Sequence, residues 1–115
     1  MVLCGANAYE QKYYLNPDFE GLPTQIREEL QIMCVLFTEE IGGVLIVEFD
    51  DEDGTLLLKT TSQENDFMYD EIGGELKIKQ LLRDKQELFQ SLELYYKIFV
   101  NGDLPDELFE GSDHA

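Results

Sequence analysis

The chain is expected to fold as an α+β domain, an antiparallel sheet of two or three strands packed against two long helices. Three observations predict it. Apolar residues recur at helical spacing from Pro23 to Ile41 and again from about residue 71 to 100. Between them, VLIVEFD and TLLLKT flank an Asp53-Gly54 turn signal, where glycine tolerates positive φ. At 115 residues, with 43% apolar side chains, the chain has the size and composition of one globular domain.

The first residues, MVLCGA, read as an edge strand or a frayed arm. Asn7 is placed to cap a short helix over AYEQKYYL, ended at Asn16-Pro17 because the residue before proline leaves the α region. Tyr9 and Tyr13 would then share a face and dock on the body. NPDFEGLP is a loop.

The first long helix, about 23–41, opens at Leu22 or Pro23, since proline suits the first helical position. Ile26, Leu30, Met33, Cys34, Phe37 and Ile41 form one face. IMCVLF is apolar all round, which predicts cover on more than one side. Gly42 ends the helix.

The hairpin spans 43–61. Centred on Asp53-Gly54, it pairs Phe49 with Leu58, Val47 with Thr60 and Glu48 with Lys59, with Glu48, Lys59 and Ile46 on the outer face. DFMYDE around residues 67–70 suggests a third strand. Asp70 then caps the second long helix, 71–100, whose stripe of Ile78, Leu81, Leu88, Leu92, Tyr95 and Phe99 is interrupted only by Lys85. Leu82, Phe89 and Tyr96 widen the stripe, and Asn101-Gly102 stops the helix. The domain is expected over 1–109, with 110–115 a flexible acidic tail. EIGG occurs at Glu40–Gly43 and at Glu71–Gly74, but its surroundings do not repeat. The second copy reads as coincidence or a small pivot.

Charge narrows the function. With 25 acidic and 8 basic side chains the net charge is −17, which repels phosphate backbones and anionic lipid. No nucleic-acid or membrane partner is expected. A protein partner is, and a basic one fits the charge. MVLCGANAYE lacks a positively charged leader, no run reaches the ~20 apolar residues of a membrane span, and there is no CxxC. A cytoplasmic protein with reduced thiols is the expectation.

No catalytic, cofactor-binding or metal-ligating set emerges. Asp50, Asp51, Glu52 and Asp53 offer hard oxygen ligands for calcium. Aligning Gly54 with the sixth position of a calcium loop puts Phe49 first and Thr60 twelfth, where acids are required. The cluster is better read as a solvated turn. Neither double glycine has a phosphate-loop signature. His114 stands alone near the C-terminus, Cys34 reads as a small buried hydrophobe, and Cys4 as a more exposed thiol with no cation beside it.

MVLCGANAYEQKYYLN and LQIMCVLFTEEIGG, with the LKIKQL and ELF segments further on, resemble a family of small, acidic, uncharacterised proteins of anaerobic Gram-positive bacteria. The resemblance implies a bacterial, cytoplasmic setting and supplies no catalytic residue. The expected α-β-β-β-α order also looks like type III secretion chaperones, an analogy of fold alone. The leading expectation is therefore a non-enzymatic protein-interaction module, adaptor or chaperone-like, without cofactor. It would dimerise through the sheet or the last helix. The alternatives are an acidic nucleic-acid mimic that occupies a basic DNA-binding protein, and a carboxylate enzyme using a divalent metal.

Overall fold

The computed structural model describes residues 1–100 and 102. Four strands form one antiparallel sheet in the order β2-β1-β3-β4: β1 (Val2–Asn7), β2 (Lys12–Leu15), β3 (Val44–Phe49) and β4 (Leu56–Thr61). Helix α1 (Thr24–Ile41) follows β2, and α2 (Glu71–Asp84) and α3 (Gln86–Tyr95) follow β4. The chain order is thus ββαββαα, not the α-β-β-β-α expected. The α+β class holds.

The two extra strands come from the N-terminal segment. β1 is no edge or arm; it lies between β2 and β3. The expected helix over residues 8–15 is absent. Asn7 Oδ1 accepts hydrogen bonds from the backbone N–H groups of Tyr9 (2.9 Å) and Glu10 (3.2 Å). That cap closes a turn that Gln11 completes at φ 53°, and the chain reverses into β2. An Asn side chain bonding its own downstream backbone serves a turn as readily as a helix start. Leu3 is the extra residue of a bulge between Val2–Glu48 and Cys4–Val47, so Leu3 and Cys4 both point into the core.

The β3–β4 hairpin is present with its register displaced by two residues. Phe49 pairs with Leu56, Glu48 with Leu57 and Val47 with Leu58. The tip is longer than a two-residue turn: Asp50 N–H donates to the Thr55 carbonyl (2.8 Å), and Gly54 N–H donates to the Asp50 carbonyl (2.9 Å). Because the displacement is even, no side chain changes face. Val47 and Phe49 stay in the core, and Glu48 still reaches Lys59, now diagonally. Ile46 lies half-buried on the outer face opposite Lys59.

No third strand forms over residues 67–70. That segment is irregular, with Phe67 and Met68 exposed. The second long helix is not continuous either. It breaks at Lys85 (φ −106°, ψ 21°), where the apolar stripe lapses, and a π-helical turn (Tyr96–Val100) follows α3. The expected tail, 110–115, lies outside the described residues.

Helices α1 and α3 pack against the sheet, and α2 packs against α1 and α3. The core joins Leu3, Cys4, Leu45, Val47 and Phe49 from the strands to Leu30, Cys34, Phe37 and Ile41 of α1 and to Leu81, Phe89 and Leu92 of α2 and α3. Phe19, on a short 3-10 turn after β2, stacks on Phe49, which stacks in turn on Tyr96. The second EIGG opens α2, where its glycines pack closely. Gly74 is buried where α2 crosses the end of α1, and a Cβ there would meet Ile41 at 3.2 Å. Among the described residues, no helix is long and apolar enough to cross a membrane.

Candidate functional site

Two features stand apart from ordinary core and surface. The first is the outward side of the helical layer. α1 was expected to be covered on more than one side, yet Ile32 and Leu36 remain more than half exposed. They line a groove of about 570 Å³ between α1 and α2, with Met33, Lys77, Leu81 and Lys85. Lys77 pairs with Glu40 (3.4 Å) and Lys85 with Glu29 (2.9 Å), which pins the two helices antiparallel across it.

On the far side of α2, Ile72, Leu76, Lys79 and Arg83 fall on one stripe, at intervals of four, three and four residues. Ile72 is 75% and Leu76 61% exposed, and Phe67 (92%) and Met68 (89%), in the segment that leads into α2, are exposed as well. Charge along α2 is segregated. Asp70, Glu71 and Glu75 mark its start, and Lys77, Lys79, Arg83 and Lys85 its end, with Asp84 the one acid among them. Four of the eight basic residues of the chain therefore sit within nine positions. Lys79 makes no ion pair among the described residues.

The second feature is internal. Cys4 was expected to be the more exposed thiol; both cysteines are fully buried, because β1 is an interior strand. Cys4 Sγ on β1 and Cys34 Sγ on α1 lie 3.8 Å apart as free thiols. Beside Cys4 sits the Tyr13 hydroxyl, buried and without a hydrogen-bond partner among the described residues. The Cys34 thiol, and then the Tyr13 hydroxyl, favour a thiolate on Cys4 and bring it below the usual thiol range against the effect of burial. Cys34, hydrogen-bonded to that sulfur and buried, is pushed far up. Burial likewise raises Tyr13, with the neighbouring Cys4 charge adding to it.

The acidic tip is a turn built from its own carboxylates. Asp50 Oδ1 accepts from the N–H groups of Glu52 (2.8 Å) and Asp53 (3.4 Å), and Asp53 Oδ1 accepts from Thr55 N–H (2.9 Å). The Thr55 backbone N–H, then its side chain, hold Asp53 below the ordinary carboxylate range. No group of three or more His, Cys, Asp or Glu among the described residues could hold a metal ion. Millimolar calcium, magnesium or manganese is accordingly expected to leave the melting temperature unchanged. A rise with ion concentration, read by differential scanning fluorimetry, would show a folded-state site.

The described residues form a two-layer α+β domain in which three exposed large apolar side chains, Ile72, Leu76 and Leu82, lie on α2. By descent it is placed more narrowly. The family of unknown function DUF6145 matches residues 1–104, and the chain belongs to that family. No curated protein and no solved structure matches the chain.

Proposed function

We propose that the protein is a non-enzymatic interaction module whose working surface is the outward stripe of α2, and that a second copy of the chain occupies it. The observation that carries this reading is the charge segregation along α2 beside four exposed apolar side chains. Two α2 helices meeting antiparallel about a two-fold axis near Leu76 would set the Asp70–Glu75 end of one against the Lys79–Arg83 end of the other. Such an interface is self-complementary, as a two-fold dimer requires. The rest of a −17 chain repels its own copy, so the cationic half of α2 is where two copies can approach.

The outer sheet face is the weaker choice. There the Glu48–Lys59 ion pair is already satisfied within the sheet, beside Ile46. Dimerisation leaves much of the acidic surface free, and a basic protein partner suits it.

Light scattering after size exclusion, at tens of micromolar protein, tests the reading. The wild type is expected as a dimer and Leu76→Glu as a monomer with an unchanged circular dichroism spectrum, since Leu76 lies outside the core. Reversing Lys79 and Arg83 to Glu should weaken the dimer. A strictly monomeric wild type at these concentrations refutes the reading.

A further inference from the structure

We infer that Cys4 and Cys34 form a reversible disulfide within the folded chain, with a hydroperoxide as oxidant, so that the cysteine pair is a redox modification site joining the sheet to α1. Two buried thiols can be mere small hydrophobes. Three observations argue for more. The sulfurs already touch at 3.8 Å, and a bond of ~2.05 Å needs a local approach rather than a rearrangement of layers. The Tyr13 hydroxyl is buried beside them without a partner, which a purely apolar core has no use for. A thiolate on Cys4 would accept its hydrogen bond. Finally, Tyr13, whose hydroxyl lies beside Cys4, also lines a cleft of about 530 Å³ with Ala6, Lys12, Val35 and Thr38, which puts a space large enough for a small peroxide next to the residue that neighbours the sulfur.

The chemistry balances in two steps. The Cys4 thiolate attacks one oxygen of the hydroperoxide and breaks the O–O bond; the alkoxide leaves and takes up the proton lost by Cys4. Cys4 is then a sulfenic acid. The Cys34 sulfur displaces its hydroxyl, which departs as water with the Cys34 proton, and the S–S bond closes. Two thiols and one hydroperoxide give one disulfide, one alcohol and one water. The new bond would close a loop between positions 30 residues apart and tie β1, inside the sheet, to the middle of α1.

The test uses the whole chain, reduced, freed of reductant and exposed to tert-butyl hydroperoxide in native buffer. The mass is expected to fall by about 2 Da, for two hydrogens lost. Tryptic peptides 1–12 and 28–59 should remain joined until dithiothreitol separates them. Cys34→Ser should accumulate a dimedone-reactive sulfenic acid on Cys4. The wild-type mass alone decides the matter should that variant fail to fold. An unchanged mass, oxygen additions without joined peptides, or chains linked to one another would each overturn the inference. So would a bond that forms only when urea is present.

Discussion

Phe49→Ala is expected to cost about 4 kcal/mol, the range for emptying a large aromatic site in a core. Phe49 ends β3, is buried, and sits in an aromatic stack: the Phe19 ring on one side at 5.6 Å and the Tyr96 ring on the other at 4.4 Å, nearly parallel. Removing the middle member loses its transfer free energy, leaves a cavity, and breaks two ring pairs worth ~0.5–1.5 kcal/mol each beyond their area. Relaxation can recover little, because the stacked neighbours come from two separate elements, the 3-10 turn and the π-helical turn, each fixed by its own packing. A domain of this size has roughly 5–15 kcal/mol in total, so the variant should unfold at markedly lower urea with an unchanged slope. Phe67→Ala is the control, with both alanine variants made in the monomeric Leu76→Glu background so that the proposed dimer contact plays no part. Its ring is almost wholly exposed, so its effect on stability should stay within about 0.5 kcal/mol. If the two alanine variants unfold at the same urea concentration, the account of the core is wrong.

That contrast bears on how much was legible beforehand. Local signals were read well. The α1 stripe, its stop at Gly42, the hairpin and the Asp70 cap, whose Oδ1 accepts from Gly73 N–H, stand where expected. Each rests on residues within a few positions of one another. The register missed by two because Asp50 carries the tip on its backbone and side chain, extending a turn that Asp-Gly alone would make tight. The N-terminal hairpin was missed for a different reason. Asn7 bonds the next backbone N–H groups identically at the start of a helix and in a turn, and four residues of β2 are too few to show alternation. The break at Lys85 has no proline or glycine. Its trace was the lapse in the stripe, read as an interruption within one helix.

The candidate site was less legible still, because both parts of it are non-local. The meeting of Cys4 with Cys34 depends on β1 entering the interior of the sheet, which composition and spacing do not reveal. The outward stripe was hidden by the opposite error. Surplus apolar residues in IMCVLF and DFMYDE were assigned to the interior or to a strand, as hydrophobicity alone suggests. Ile32, Leu36, Phe67 and Met68 are instead left in solvent. Large exposed apolar patches on a small domain mark interaction surfaces. Phe67 and Met68, expected in a strand, are among the exposed side chains on which the functional proposal rests.

Gly43→Ala is expected to cost about 3 kcal/mol, from two sources that can be separated. Gly42 and Gly43 turn the chain from α1 into β3, both at positive φ, 94° and 69°. An alanine at either position meets backbone strain of roughly 1–3 kcal/mol. Only at Gly43 is there no room as well. A Cβ there would lie 2.5 Å from the Thr61 carbonyl oxygen and 2.7 Å from the Tyr69 ring, whereas at Gly42 the nearest atom is 3.9 Å away. The Tyr69 ring can swing aside; the Thr61 oxygen belongs to the paired backbone of β4 and cannot move without opening the Val44–Thr61 end of the ladder. Gly43 also holds the N-terminal hairpin, since Ala8 N–H donates to the Gly43 carbonyl at 2.9 Å. Displacement there propagates to both neighbours of β3. Urea denaturation of the two variants side by side reads the difference. Gly43→Ala should be the less stable, and its amide hydrogen exchange should quicken in β4 and in the turn after β1, while Gly42→Ala keeps both protected. Equal losses in the two variants would mean that strain alone acts and that the contact with Thr61 does not constrain the fold.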